Sequence, residues 1–193
     1  MLRRMAARRW SHVIGVDDAP FPRDHRGDVL VVGVAVSGAR VDGVLSTRVR
    51  RDGANATDAL AEMIRGSQFF AHLHAVLMQG IALAGFNVVD IHRLSDELAK
   101  PVLVMARRPP DMAAIRRALL DHVRGGAAKW ELIEKAGPME PVGRVLVQRA
   151  GLDLDEAAAL LATFSQEGNV PEPLRLAHLI AGGVTTGRSR GRA

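Results

Sequence analysis

The sequence predicts an α/β fold: a central sheet covered by helices. Three observations carry this. The first fifty residues hold three apolar runs separated by short polar joins. One of them, VLVVGVAV at 29–36, is apolar at consecutive positions, as a central strand covered on both faces must be. Strand-like and helix-like segments then alternate through the second half, the order of a sheet with covering helices. With 193 residues, 48% of them hydrophobic, the chain has material for one core and one domain.

In chain order, HVIGV (12–16) is a first strand running into Asp17 and Asp18, and APFPRDHRGD (19–28) is a Pro- and Gly-bearing loop. Strands over 29–37 and 40–50 are joined by Gly38-Ala39, short enough for a hairpin. The second of these alternates less cleanly and fits a more exposed position. After Asp52-Gly53 the period changes. Thr57 is a candidate N-cap, Leu60, Met63 and Ile64 recur at helical spacing, and Gly66 is placed to end the helix. HAVLMQGIALAG (74–85) is strand-like through Met78, a helix is expected around 92–99, and PVLVMA (101–106) is a strand opened by Pro. Residues 111–124 form an amphipathic helix starting at Asp111, and 128–136 a second. The segment 142–150 is expected as one strand, 154–166 as a helix capped by Asp153, and 171–180 as a final helix with two Pro in its first turn.

Composition narrows the chemistry. With 0 Cys there is no thiol nucleophile, zinc ribbon or iron-sulfur centre, so a metal would rest on carboxylates or on some of the 7 His. The formal charge of +5 is a property of the ends: MLRRMAARRW (1–10) has four Arg, TTGRSRGRA (185–193) has three, neither has an acid, and the body between them sits at −2. The expected layout is therefore a basic extension (1–10), one domain (11–184) and a basic tail (185–193). Such ends suit phosphate or anionic lipid, and equally suit solvated termini. The longest apolar run is far short of the ~18 residues of a membrane span, and no apolar signal core follows the N-terminal Arg cluster. No membrane partner is expected, and the cytoplasm is the expected location.

Several side chains could carry chemistry. Asp17 and Asp18 end an apolar strand, where ligands collect in α/β sheets, and adjacent strand residues point to opposite faces, so one of the two is expected to look into a given site. DGANATD (52–58) offers Asp52, Asn55 and Asp58 as oxygen ligands for Mg²⁺ or Mn²⁺, or is an ordinary loop-to-helix passage. Asp90 is either a helix cap or a metal ligand, and Glu62 shares a helix face with Asp58. His178 lies three residues after Arg175 on the last helix, either positioning water beside carboxylates or hydrogen-bonded at a packing boundary. Arg23, His25 and Arg26 in the Pro-bearing loop suit a phosphate or solvent. His72 and His74 are expected to be structural or exposed. GxxxxGK[ST], GxGxxG after a strand, HExxH and GxSxG are all missing from the sequence, and there is no Tyr. Carboxylate-bound divalent-ion chemistry is what these exclusions leave.

The blocks IGVDDAPF, VDG, DGANAT, GIALAGFNVVDI and PEPLRLAHLIAGGVTTGRSRG, in this order from Ser11 to Arg190, resemble the largely archaeal family known as DUF99 or UPF0215, related in fold to endonuclease V. The resemblance implies a ribonuclease H-like mixed sheet, with an antiparallel three-strand start, then parallel strands, flanked by helices. It further implies a Mg²⁺- or Mn²⁺-dependent endonuclease acting on DNA or RNA, or a nucleic-acid-binding protein that keeps the nuclease fold without catalysis. On it, Asp17 matches the metal-binding Asp of the first strand, Asp52 a second acid and His178 the late helix histidine. These three are the expected catalytic residues. Where endonuclease V has Asp before Gly at the end of its fourth strand, this chain has Gln79-Gly80. The expected metal ligands are then Asp17, Asp52 and, standing in for that acid, Asp90. Expected nucleic-acid contacts are Asp18, Arg23, His25, Arg26 and Arg175. Neither a PYxP-type strand-separating wedge nor a matching catalytic Lys is found.

Overall fold

A computed structural model describes residues 10–165 and 170–189. The N-terminal arginines at 3, 4, 8 and 9 and the tail arginines at 190 and 192 lie outside the described residues. Seven strands form one sheet in the order β3-β2-β1-β4-β7-β9-β8. β1 (His12–Asp18), β2 (Asp28–Ser37) and β3 (Arg40–Arg50) make the antiparallel start. β4 (Ala75–Gln79) and β7 (Val102–Ala106) then run parallel to β1. A small hairpin of β5 (Ala82–Leu83) and β6 (Asn87–Val88) stands apart from the sheet. Among the described residues no helix is long and apolar enough to cross a membrane.

Local chemistry explains most boundaries. β2 lies between two partners and is nearly all buried, whereas β3 is an edge strand exposing alternate residues. The segment expected as one strand over 142–150 is instead a hairpin of β8 (Glu140–Val142) and β9 (Val145–Ala150). Val142 pairs with Val145 across a two-residue turn, which Gly143 makes possible at φ +59°. Helix α1 (Ala56–Arg65) has Asn55 at its N-cap position, two residues earlier than Thr57, and its first N–H, that of Ala56, is taken by Asn87 Oδ1 rather than by the Asn55 side chain. Thr57 is buried inside the helix, and its Oγ1 accepts the Asp90 N–H at 3.0 Å. Asp90 caps α2 (Ile91–Leu98) through the Arg93 N–H, Asp111 caps α3 (Met112–His122), and α4 (Gly126–Lys135) packs against α3. Asp153 and Glu156 form a reciprocal capping box opening α5 (Leu154–Phe164), a device that stabilises a helix by about 1 kcal/mol. The last helix, α6 (Glu172–Thr186), has Pro173 at its start and runs past the expected 180.

Two faces of the sheet matter for function. A methyl placed on Gly15 would lie 2.4 Å from the Pro173 carbonyl carbon and 2.6 Å from the Leu174 nitrogen, so the start of α6 rests directly on β1. Gly33 has Ile14 and Met63 against it instead. Because strand side chains alternate, Gly15 and Asp17 share the α6 face, while Ile14, Val16 and Asp18 share the α1 face.

Candidate active site

Asp17 is buried, 6% exposed, near the end of β1. Its Oδ2 lies 2.9 Å from Nδ1 of His178 on α6, and its Oδ1 accepts the Asp18 N–H at 3.0 Å. Gly15 makes this meeting possible, since only a residue without Cβ lets α6 approach so closely. Burial drives the Asp17 carboxyl up to about 6, with Asp18 adding repulsion, against the hydrogen bond and charge of His178. A buried carboxyl raised in this way at a strand end makes Asp17 a candidate site residue.

Asp18 points the other way. Its Oδ2 accepts the Ala84 N–H at 2.8 Å, and burial raises its carboxyl above the usual range while that N–H opposes the rise. Asp52 reaches the same hairpin tip: its N–H donates to the Ala84 carbonyl, and its Oδ1 accepts the Phe86 N–H at 2.8 Å. The buried Lys129 ammonium donates to the Asp52 carbonyl, and its burial lowers its basicity despite the Asp52 charge. Asp52 thus shares the hairpin with Asp18.

The structure does not gather Asp17, Asp52 and Asp90 into one ligand set. Among the described residues no three His, Asp or Glu side chains converge as a metal centre. Asp90 is occupied as the α2 cap, and its Oδ2 pairs with Lys135 Nζ at 2.7 Å. Although burial pulls the other way, the Arg93 N–H and the Lys135 ammonium hold its carboxyl below the usual range. Glu62 is exposed on α1 in a groove with Asp58, Arg65 and Glu97, on the far side of the sheet from α6.

Gln79 takes the place on the sheet that the sequence left without an acid. Val16 pairs with Met78 in parallel register, so Asp17 and Gln79 are the next residues of neighbouring strands, roughly 4.8 Å apart in backbone spacing, on one face. The buried Oε1 of Gln79 finds no donor among the described residues. An amide oxygen left open beside a carboxylate fits Mg²⁺ or Mn²⁺, which take one or two protein oxygens and keep the remaining positions for water and phosphate.

Of the expected nucleic-acid contacts, Arg175 is bound to Glu172 of its own helix, which lowers the Glu172 carboxyl. Arg23 and Arg26 are exposed in the loop after β1. Arg51 folds that loop by donating to the Arg23 and His25 carbonyls at 2.6 Å each. Sequence reasoning missed Arg107 and Arg108. They follow β7 directly and line a groove with Gln79, Gly80, Met105 and Ala106. The signal was present: two cations immediately after a parallel strand, at the end where ligands bind.

A seven-stranded mixed sheet with an antiparallel start and parallel strands beyond it, flanked by helices, gives this protein a ribonuclease H-like fold, the fold of endonuclease V. The chain belongs to the family described as Endonuclease dU, whose profile matches residues 9–185. It is 57% identical over 184 residues to a UPF0215 protein of Deinococcus radiodurans, covering 95% of this chain and 94% of that one. A crystal structure from Archaeoglobus fulgidus matches at TM-score 0.85 and 35% identity, covering 91% of this chain and 98% of that one. Endonuclease V of Bacillus subtilis matches at TM-score 0.60 and 14% identity (92% and 82% covered). Endonuclease V of Ciona intestinalis, in complex with DNA containing an inosine, matches at 0.51 and 15% (86% and 82%). The endonuclease V likenesses are likenesses of fold.

Proposed function

We propose that this protein is a divalent-metal-dependent endonuclease acting on DNA or RNA, with Asp17 and His178 as its catalytic residues. The observation that carries the reading is the buried Asp17–His178 pair at the end of β1, beside the open amide oxygen of Gln79. Asp17 and Gln79 would hold Mg²⁺ or Mn²⁺, which when bound offsets charge on the scissile phosphate and lowers the pKa of a bound water. Above about pH 6 Asp17 is ionised and accepts the His178 Nδ1–H. That hydrogen bond fixes the tautomer and leaves the Nε2 lone pair free to take a proton from attacking water. The His178 side chain is 37% exposed, so the ring is within reach of solvent. Arg107 and Arg108, one strand beyond Gln79, supply cations along the path of the phosphates. The name of the family brings deoxyuridine in as the first substrate to try, and the Ciona intestinalis complex brings inosine.

The test is cleavage of single-stranded and duplex DNA and RNA, plain or carrying one deoxyuridine or inosine, with Mg²⁺ or Mn²⁺, native protein beside Asp17→Asn. Metal-dependent product that disappears in the variant supports the reading; equal turnover by the two proteins sinks it. The lack of three convergent acidic or histidine ligands favours a second reading, a nucleic-acid-binding protein that has kept the fold without catalysis. It predicts binding that weakens steeply with salt and no product from folded native protein.

A further inference from the structure

Helix α4 carries a buried cation that the fold does not neutralise. Lys129 is 5% exposed. Its Nζ meets one acceptor among the described residues, the Asp52 carbonyl, so two of its three N–H groups are left over. The Asp52 carboxylate does not take them, because its Oδ1 accepts the Phe86 N–H and its Oδ2 pairs with Arg51 at 3.2 Å. Buried charges are normally paired, and an ammonium resting on one neutral carbonyl is held at a cost.

Lys129 lines an open cavity of about 660 Å³ between α4 and the loop of Asp52, Gly53 and Ala54. Arg124 lines it too, exposed and without an ion pair or hydrogen bond among the described residues. Lys135, the third cation of the lining, is already held by Asp90. The N-terminus of α4 opens on the same space at Gly125, with no side chain capping it and no acid in its first turn, so its positive pole is unanswered. Nothing lies within 4 Å of where a Cβ on Gly125 would stand, which leaves the backbone there open to approach. Apart from Asp52, the acid in the lining is Glu131, exposed and, two residues on from Lys129, about 200° round the helix from it.

We propose that this cavity is an anion site for a phosphate ester, with the phosphate set between Lys129, Arg124 and the first turn of α4. A phosphate there supplies the acceptors that the buried ammonium lacks and offsets its charge. It also answers the helix pole, as anions at helix N-termini do. Burial lowers the basicity of Lys129 and the Asp52 charge only opposes this, so an arriving anion meets a cation that gains from its company. Ala54, Ala128 and Leu132 give the rest of the lining an apolar character that suits the organic part of the ester. The cavity shares no lining residue with the groove of Gln79, Arg107 and Arg108, so it is a second place for phosphate, and it stands whether or not Asp17 supports cleavage. Two sources present the group: a nucleic-acid strand and a free nucleotide.

Isothermal titration of the full chain in EDTA tests this without cleavage. The probes are thymidine monophosphate, thymidine, and a short oligothymidylate lacking terminal phosphates, each titrated into native protein, Lys129→Met and Arg124→Gln. The expected result is that native protein binds the monophosphate at least about tenfold more tightly than thymidine, and that each variant loses at least about fivefold of that affinity. If the oligothymidylate weakens in the variants as well, a strand fills the site; if it binds them as it binds native protein, the occupant is a free nucleotide. Native protein that holds the monophosphate no better than thymidine, or folded variants that hold it as tightly as native protein does, overturns the proposal. Arg124 is exposed, so Arg124→Gln decides alone should Lys129→Met fail to fold by circular dichroism.

Discussion

Replacing Asp17 by Asn should make the protein more stable while abolishing cleavage. Asp17 holds its proton to about pH 6 in the folded state, against 3.8 for an ordinary Asp, chiefly because burial denies the carboxylate water. The native state therefore binds more protons than the unfolded chain between these values, and the contribution of Asp17 to stability falls as pH rises through them. By pH 8 the loss amounts to about 3 kcal/mol. Asn keeps the shape and removes the charge, and the carboxylate's stronger hydrogen bond to His178 is already contained in the net rise to about 6. The expectation is a gain of about 3 kcal/mol at pH 8 and little change at pH 4. Urea unfolding of both proteins in EDTA at the two pH values measures it, as a shift in midpoint at constant slope. A variant no more stable than native at pH 8, or equally stabilised at pH 4, refutes the claim that a buried, charged Asp17 is held at a cost to the fold.

Three other outcomes are expected. Asp90→Ala removes the α2 cap and the Lys135 pair, so it should lower stability by about 1–2 kcal/mol and leave cleavage intact; lost cleavage in a protein of native stability would return Asp90 to the site. Gly15→Ala drives a methyl into the Pro173 and Leu174 backbone, so it should cost at least about 2 kcal/mol and separate Asp17 from His178. Thermal unfolding and a cleavage assay check this, and a stable, active variant contradicts the close approach of α6. Arg107→Ala with Arg108→Ala should weaken single-strand binding and flatten the plot of log affinity against log salt by about 1–2 in slope. An unchanged slope would remove both from the phosphate path.

Elements whose cause is local were legible in the sequence. The apolar run at 29–36 marked a strand between two partners, and Asp111 and Asp153 marked helix starts because a cap acts on the N–H groups of its own first turn. Asp17 was legible as a strand-end acid, and its partner on α6 by the resemblance of the AH segment. Thr57 was misplaced because Asn55 and Thr57 are both good caps, and the choice is made by Asn87, whose Oδ1 accepts the Ala56 N–H from 31 residues away. The β8–β9 turn was hidden because Val142 and Val145 suit one strand as well as two, and a Gly-Arg pair is a weak turn signal. Asp90 kept two readings until Lys135, 45 residues on, was seen to occupy it. Gln79 was marked by the resemblance as a neutral residue in the place of an acid, whereas Gln148 left no mark, since a glutamine in a strand is unremarkable until its neighbours are known to offer no donor.

Asp17 and Asp18 are joined by a single peptide, yet they hold different bodies: one meets α6, and the other fastens the tip of the β5–β6 hairpin. The points at which α6 and the hairpin are fastened to β1 are therefore one Cα step of about 3.8 Å apart, a covalent length that fixes the spacing of the two attachments whatever the loops around them do.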